Sequence, residues 1–557
     1  MLVFLLYLSV SSDVSFEPGR DYVYPSEFNG WTNITDVEIP EGILKIGDSA
    51  FLGCTNLVTI SFPNSLQHVD VSAFNGCSKL SSVTFIGDFT KLSYNAFFGC
   101  SSLVSVTFPK GFNSYQMGAI RGTSKLASIN FEEGNQFYCV ENGLLMDYDK
   151  TYVLFSTTDA VDVVLPSTVK VIYGYAFEYS KSIKSFNSGD NLEQINSAFY
   201  GCTCEIVFIG KNVKFIASGT FSKSNVASIT IDLDNQYYSA YNNAIFNKNM
   251  SLLLFYPDNL LAVSYEIPPN MEEVAESVFQ AAENLQEFIV PASNTFFEAV
   301  DGILYKGTCL YLAPPYKTNI NIRDGTTSLG MCAFDGSIIT SIDLPNTITH
   351  IGAGAFRLSK IAHMDCSHVT SFDVSVFHMA SLVTIILNDN LKMIPNTMFR
   401  LSKLVSLTLP KNVEVIDSGA FSSIQSLTTI VFNEGLTTIN NEAFSGCANL
   451  QDFTFPKSLL YIEFHAFYSC GSITKIVFPE NVVYVGIQSF SSSNSLKVVN
   501  VTNCFTKIHE TAFQYCRYQE ELTYCQATDT FTPAVLLQRY TNIAKLLFLA
   551  YFLTNGD

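Results

Sequence analysis

Four of the seven histidines in this 557-residue chain, His350, His363, His368 and His378, fall close together. A cluster of imidazoles is the usual starting point for a metal centre. Metal sites, however, need ligands at spacings that one element can bring to a common point. The intervals here match no such spacing. Fourteen cysteines are a second candidate. Seven of them, Cys54, Cys77, Cys100, Cys202, Cys447, Cys470 and Cys516, stand three residues after a phenylalanine. That placement favours a small buried group over a zinc or disulfide framework, because a free thiol behaves as a small apolar side chain. Cys202 with Cys204 and Cys516 with Cys525 are the pairs best placed to bridge or to cycle between redox states. No nucleophile elbow, phosphate loop or dinucleotide fingerprint is present. The carboxylates are scattered rather than paired. The sequence therefore predicts no catalytic residues, no cofactor and no metal, and a protein that is not an enzyme.

The elements that must position these residues are repetitive. Phe51, Phe74 and Phe97 are spaced by 23, and Ile120 takes the next place. The series continues at Phe177, Phe199, Phe221 and Phe279. From Phe334 it runs through Phe356, Phe377, Phe399, Phe421, Phe444, Phe467, Phe490 and Phe513 at intervals of 21–23. With Phe28 this makes about 18 units. A fixed period of this length is the mark of a solenoid. Within one unit, Leu57, Ile60, Phe62, Leu66 and Val69 are the apolar positions. Residues 58–62 alternate with period two and include β-branched side chains, so they form a short strand. Pro63 cannot donate to a ladder and ends it. The rest of the unit should be an irregular or 3₁₀-like outer segment, with Ser72-Ala73-Phe74 starting the next coil. No single coil can bury its apolar side, but stacked coils share one core. At a strand spacing of about 4.8 Å, 18 coils span on the order of 90 Å, with the strands on a concave face.

Three intervals are long, each by more than 30 residues. Their extra segments, near 132–165, 232–266 and 291–322, match one another. Asn135-Gln136-Phe137-Tyr138 aligns with Asn235-Gln236-Tyr237-Tyr238 and Asn294-Thr295-Phe296-Phe297. Two apolar runs around a polar turn follow each and read as a β-hairpin inserted in a longer coil.

The pattern Ala-Phe-x-Gly-Cys-x-x-Leu-x-x-Val-x-Phe-Pro-x-x-Val-x-x-Ile resembles the BspA-type leucine-rich repeat over about residues 28–525. The inserts, with Asp301-Gly302-Ile303-Leu304-Tyr305, are similar to that family's long-repeat variant. The resemblance implies a leucine-rich-repeat solenoid. It also implies a surface antigen, secreted or held at the cell surface, that adheres to host or extracellular-matrix proteins. The family supplies no catalytic motif and no motif for ligand residues.

Composition agrees with a binding protein. Apolar residues make up 48% and charged residues 15% of the chain, against about 25% charged in ordinary domains. A net charge of −19 argues against nucleic acid and against a basic grip on membranes. Residues 2–10 form an apolar run that suits a signal peptide over 1–12, and it is too short to span a bilayer. Residues 13–27 then form an N-terminal cap. Thr532-Pro533 suits a helix start, so residues 526–557, with their apolar run 546–553, read as a capping helix or tail. Neither run suffices for a transmembrane span.

The expected binding surface is the outward face of the strands. Its positions are Asp36 and Glu38, Thr59 and Ser61, Ser82 and Thr84, and Ser105 and Thr107. Further along come Ser341 and Asp343, His363 and Asp365, Ser406 and Thr408, and Asp452 and Thr454. This face lacks the aromatic and Arg anchors of strong interfaces. Anchors would have to come from hairpin tips such as Tyr305 and Tyr311. The competing reading is an intracellular, cytoplasmic scaffold for protein–protein interaction with an uncleaved N-terminus.

Overall fold

A computed structural model describes residues 14–503 and 505–516 and the backbone of 521–524. The signal-peptide run, Cys504, Cys525 and the expected capping tail lie outside these residues. The chain divides into two compact units, Met1–Leu261 with Asn270–Glu283, and Ala262–Pro269 with Asn284–Asp557. Each is a parallel β-solenoid, with about 21 turns in all and no helix among the described residues.

Most turns contribute to two sets of parallel strands. In the first unit the expected strand lies at Asp36–Glu38, Thr59–Ser61, Ser82–Thr84 and Ser105–Phe108. Asp36 pairs with Thr59, and Ser82 with Ser105, in strict parallel register. The outer segment is more regular than its sequence suggests. Its apolar Leu-x-x-Val pattern places a two-residue strand in each coil, and Lys45–Ile46, His68–Val69, Lys91–Leu92 and Ser114–Tyr115 form a second ladder. Gln67 N–H donates to Leu44 O at 2.8 Å and Asp70 N–H to Ile46 O at 2.9 Å. Identical coils stacked in phase bring identical backbone groups within reach, so even two extended residues can ladder. The second unit repeats this arrangement. Its short strands Val415–Ile416, Thr438–Ile439, Tyr461–Ile462 and Tyr484–Val485 are consecutive neighbours in one sheet.

The core of each unit is a set of side-chain columns. Leu57, Phe62, Leu66 and Val69 are buried as expected, and Ile60 is half-buried. The repeat phenylalanines stack face to face. Phe51 and Phe74 have ring centroids 5.1 Å apart, and Phe444 and Phe467 5.0 Å, with planes within 5°.

The inserts add turns as well as hairpins. Tyr138–Glu141, Leu144–Asp147 and Tyr152–Ser156 form an antiparallel meander, whose last strand pairs in parallel with Val171–Ile172 of the next coil. Tyr238–Tyr241, Ala244–Asn247 and Leu252–Phe255 repeat the pattern, as do Glu298–Val300, Ile303–Lys306 and Cys309–Leu312. The third strand of each meander re-enters the solenoid, so each long interval holds one turn beyond those marked by phenylalanine. Its residue in the repeat-Phe place is different. Ser156 N–H bonds Ala176 O and Ala313 N–H bonds Ala333 O, both at 2.8 Å, as Phe51 N–H bonds Ala73 O at 2.7 Å. Tyr256 packs its ring 4.8 Å from Phe279.

Candidate functional site

The cysteine row is part of the scaffold. Cys54, Cys77 and Cys100 are fully buried, and each thiol donates to the carbonyl of the repeat Phe one coil back. The distances are 3.1 Å to Phe28 O, 3.2 Å to Phe51 O and 3.2 Å to Phe74 O. Cys447, Cys470 and Cys516 bond Phe421, Phe444 and Phe490 in the same way, and Ser493 substitutes a hydroxyl toward Phe467 O. Cys202 and Cys204 are buried free thiols.

Burial pushes the thiols of Cys100 and Cys447 up from 9.0 to about 12. In the unfolded chain they ionise near 9.0, while the native thiols stay protonated. Their stabilising effect is therefore full below pH 9 and is lost as pH rises toward 12. The urea midpoint should be lower at pH 10 than at pH 7, and a thiol-specific reagent should label these cysteines only on unfolding. An unchanged midpoint with rapid native labelling would contradict the buried column.

The matched asparagines of the inserts are clamps. Asn235 is completely buried. Its Nδ2 donates to Gly210 O and Val213 O, both at 2.9 Å, and its Oδ1 accepts the N–H groups of Tyr237 and Tyr238, both at 2.8 Å. Asn135 repeats all four bonds, and Asn294 bonds Pro268 O and the N–H groups of Phe296 and Phe297. A carboxamide is suited to this task because it donates and accepts at once.

Twelve of the sixteen positions expected on the outward strand face lie on strands. Asp36, Glu38, Thr59, Ser61, Ser82 and Thr84 are exposed, and Ser105 and Thr107 are half-exposed. Parallel register aligns them in two columns. One adjacent pair bonds from coil to coil. The Thr59 hydroxyl donates to Asp36, and with the Thr35 hydroxyl it holds the Asp36 carboxyl below its ordinary range. In the second unit His363, Asp365, Ser406 and Thr408 lie exposed on strands, and His363 Nδ1 is 2.7 Å from Thr384 Oγ1. Ser341, Asp343, Asp452 and Thr454 are exposed on extended segments outside the ladders. Asp452 accepts the N–H groups of Thr474 and Lys475 at 2.6 and 3.1 Å. The result is a set of exposed hydroxyls and carboxylates, some of them bonded from coil to coil.

The histidine cluster does not converge. His350 lies on the short ladder, 3.0 Å from Ser371 Oγ, while His363 lies on the long one. Tyr305 is no anchor. It is fully buried, its hydroxyl accepts Arg323 N–H at 3.0 Å, and the Arg323 guanidinium lies 4.5 Å from its ring centre. Tyr311 packs on Phe297 at 4.9 Å. The first insert exposes Tyr148 and Tyr152, and each insert exposes one matched aromatic, Phe137, Tyr237 or Phe296. The signal that finds the matched three is their shared place two residues after each clamp asparagine.

One further polar cluster lies in the first unit. Arg121 pairs with the buried Glu178 at 3.3 Å and is faced by the rings of Phe98 and Tyr175, each 4.5 Å away. Burial raises the Glu178 carboxyl, and Arg121 partly offsets this. Beside the pair is a small crevice lined by Gly122, Ser156 and Tyr179, where Ile120 and Ser156 interrupt the phenylalanine column.

Two ladders, stacked aromatic columns and an apolar Leu-x-x-Val segment in every coil define a leucine-rich-repeat solenoid. The chain belongs to the BspA-type leucine-rich repeat family, whose model, described as a BspA type leucine rich repeat region, matches residues 21–140, 151–265, 316–427 and 392–520. Among solved structures, a leucine-rich repeat protein from Eubacterium ventriosum is similar at 18% identity, covering 76% of this chain and 85% of that one, with a TM-score of 0.28. One from Bacteroides ovatus is 16% identical, covering 86% of each chain, with a TM-score of 0.27. A leucine-rich cell surface protein from Faecalibacterium prausnitzii is 19% identical, covering 75% and 78%, with a TM-score of 0.23. No curated protein matches the sequence.

Proposed function

We propose that this protein is secreted or displayed at a cell surface and binds a protein ligand, of a host or its extracellular matrix, through the outward face of its longer strands. The observation that carries this reading is the set of exposed Ser, Thr, Asp and Glu side chains on strands in parallel register, with Asp36 held by Thr59 of the next coil. A side chain held in this way loses little freedom on binding. A face repeated over many coils also supplies the roughly 800 Å² per partner that a stable interface needs. Family membership and the apolar run at residues 2–10 support the surface assignment. Without aromatic or Arg anchors on this face, single contacts are weak and retention depends on avidity.

The test is retention of the purified protein on surfaces coated with solubilised extracellular matrix. A Ser82→Lys, Thr84→Lys, Thr107→Lys variant should lose about tenfold or more in retained protein, since bulky charges on the columns block close approach. Equal retention of both forms would refute the face. Mass spectrometry of the native N-terminus addresses location separately. An uncleaved Met1 on cytosolic protein would favour an intracellular scaffold.

A further inference from the structure

Two residues after each repeat Phe, the turn enters the left-handed backbone region. In the second unit, Gly336, Ser423, Gly446, Ser469 and Ser492 fill this position, with φ between 59° and 75°. Tyr179, Lys223 and Tyr515 depart singly, at φ of 56°, 55° and 61°, and three consecutive coils depart together. These three coils carry Leu358, Met379 and Leu401 at φ of 56°, 58° and 58°. Long side chains are disfavoured there, and burial does not compensate, because Met379 is 46% and Leu401 42% exposed.

The residue before each is cationic or titratable: Arg357, His378 and Arg400. Exposed lysines, Lys360 and Lys403, follow the outer two. The two segments are identical, Phe356-Arg357-Leu358-Ser359-Lys360 and Phe399-Arg400-Leu401-Ser402-Lys403. They stack on either side of Phe377-His378-Met379. Leu358 N–H bonds His378 O at 3.0 Å and Met379 N–H bonds Arg400 O at 2.8 Å. Arg357 is fixed at 2.7 Å to the buried Asp335. Burial, then Arg400 and Arg357, hold His378 below its ordinary value. An aliphatic ridge thus runs beside a cationic stripe on a chain of net charge −19.

We infer that this ridge docks an acidic amphipathic α-helix of a protein partner. Long apolar residues in a strained turn, two of them exposed, where serine would serve point to a function outside the fold, and the flanking cations set the sign of the partner. Spacing sets its conformation. The phenylalanines beneath the ridge are 5.5 and 5.7 Å apart from coil to coil. A helix offers one apolar residue per turn of about 5.4 Å, whereas an extended strand offers one per about 6.6–6.8 Å and falls out of step. A polyanion would use the cations but leave the ridge without a role. This surface lies on the turns and is independent of the strand face proposed above.

The test uses the full chain and a labelled synthetic helical peptide of about 20 residues, long enough to hold helix, with one leucine stripe flanked by glutamates. Saturable binding is expected. Leu358→Ser, Met379→Ser, Leu401→Ser together should weaken it by about tenfold or more, and so should Lys360→Glu, Arg400→Glu, Lys403→Glu. The serine variant should melt no lower than the parent, because neighbouring coils already hold serine at this turn. The proposal is overturned if the serine variant binds the peptide equally, or if a glutamine-for-glutamate peptide binds as well. It is also overturned if phosphatidylserine vesicles or heparin bind in its place, or if the serine variant melts lower.

Discussion

Phe444→Ala is expected to lower the unfolding free energy by about 3–5 kcal/mol, the range for removing a buried aromatic ring from a core. Phe444 is completely buried. Its ring lies between those of Phe421 and Phe467, at 4.9 and 5.0 Å, with Phe432 edge-on at 5.9 Å. The neighbouring coils cannot close the gap, because the short ladder through Thr438–Ile439, Tyr461–Ile462 and Tyr484–Val485 fixes their spacing. In a solenoid each coil is held by its two neighbours, so a single cavity weakens both interfaces. Urea unfolding of the variant should show the loss as an earlier midpoint. Phe505→Ala is the control: that ring is 88% exposed, so its removal should change stability by less than about 0.5 kcal/mol. A Phe444→Ala loss as small as the control's would show that the column is not the core.

Asn235→Leu is expected to destabilise by about 3–5 kcal/mol, an effect of the same size from a different cause. Leucine keeps the branched shape of asparagine with bulkier methyl ends, so no cavity forms. What is lost is the partner of four backbone groups: the carbonyls of Gly210 and Val213 and the N–H groups of Tyr237 and Tyr238. Each buried polar group left unpaired costs about 1–3 kcal/mol, with water recovering part of the total. The damage should be local. Hydrogen exchange should speed up over Tyr238–Tyr241 and Ala244–Asn247, while the strands around Phe51 keep their protection. Uniform loss of protection, or none, would contradict the clamp.

Much of this architecture can be read from the chain. The period, the phase of the phenylalanines, the strand ended by Pro63 and the matched inserts all follow from side-chain type and spacing, since stacking repeats every residue's environment from coil to coil. The outward positions of the long strands follow from strict alternation. The cysteine row is legible as structural because its members share one phase, although their acceptor, a carbonyl one coil back, is not.

Other features depend on which residues meet across coils. The short ladder is hidden in the sequence because two extended residues carry no period of their own; only the neighbour's backbone makes them a strand. The extra turn in each insert escapes notice because Ser156, Tyr256 and Ala313 stand where phenylalanine is expected, and the chain re-enters the solenoid by pairing alone. Tyr305 reads as a hairpin tip yet is buried, since antiparallel pairing turns its face inward. The ridge of Leu358, Met379 and Leu401 is 21 and 22 residues apart in sequence, and only stacking makes it one surface. The sequence by itself determined the repeat, its core and the polar strand face, because those depend on periodicity within one chain segment. Tertiary structure alone decided the second ladder, the added turns and the ridge, because those depend on hydrogen bonds and side-chain contacts between segments that no local pattern specifies.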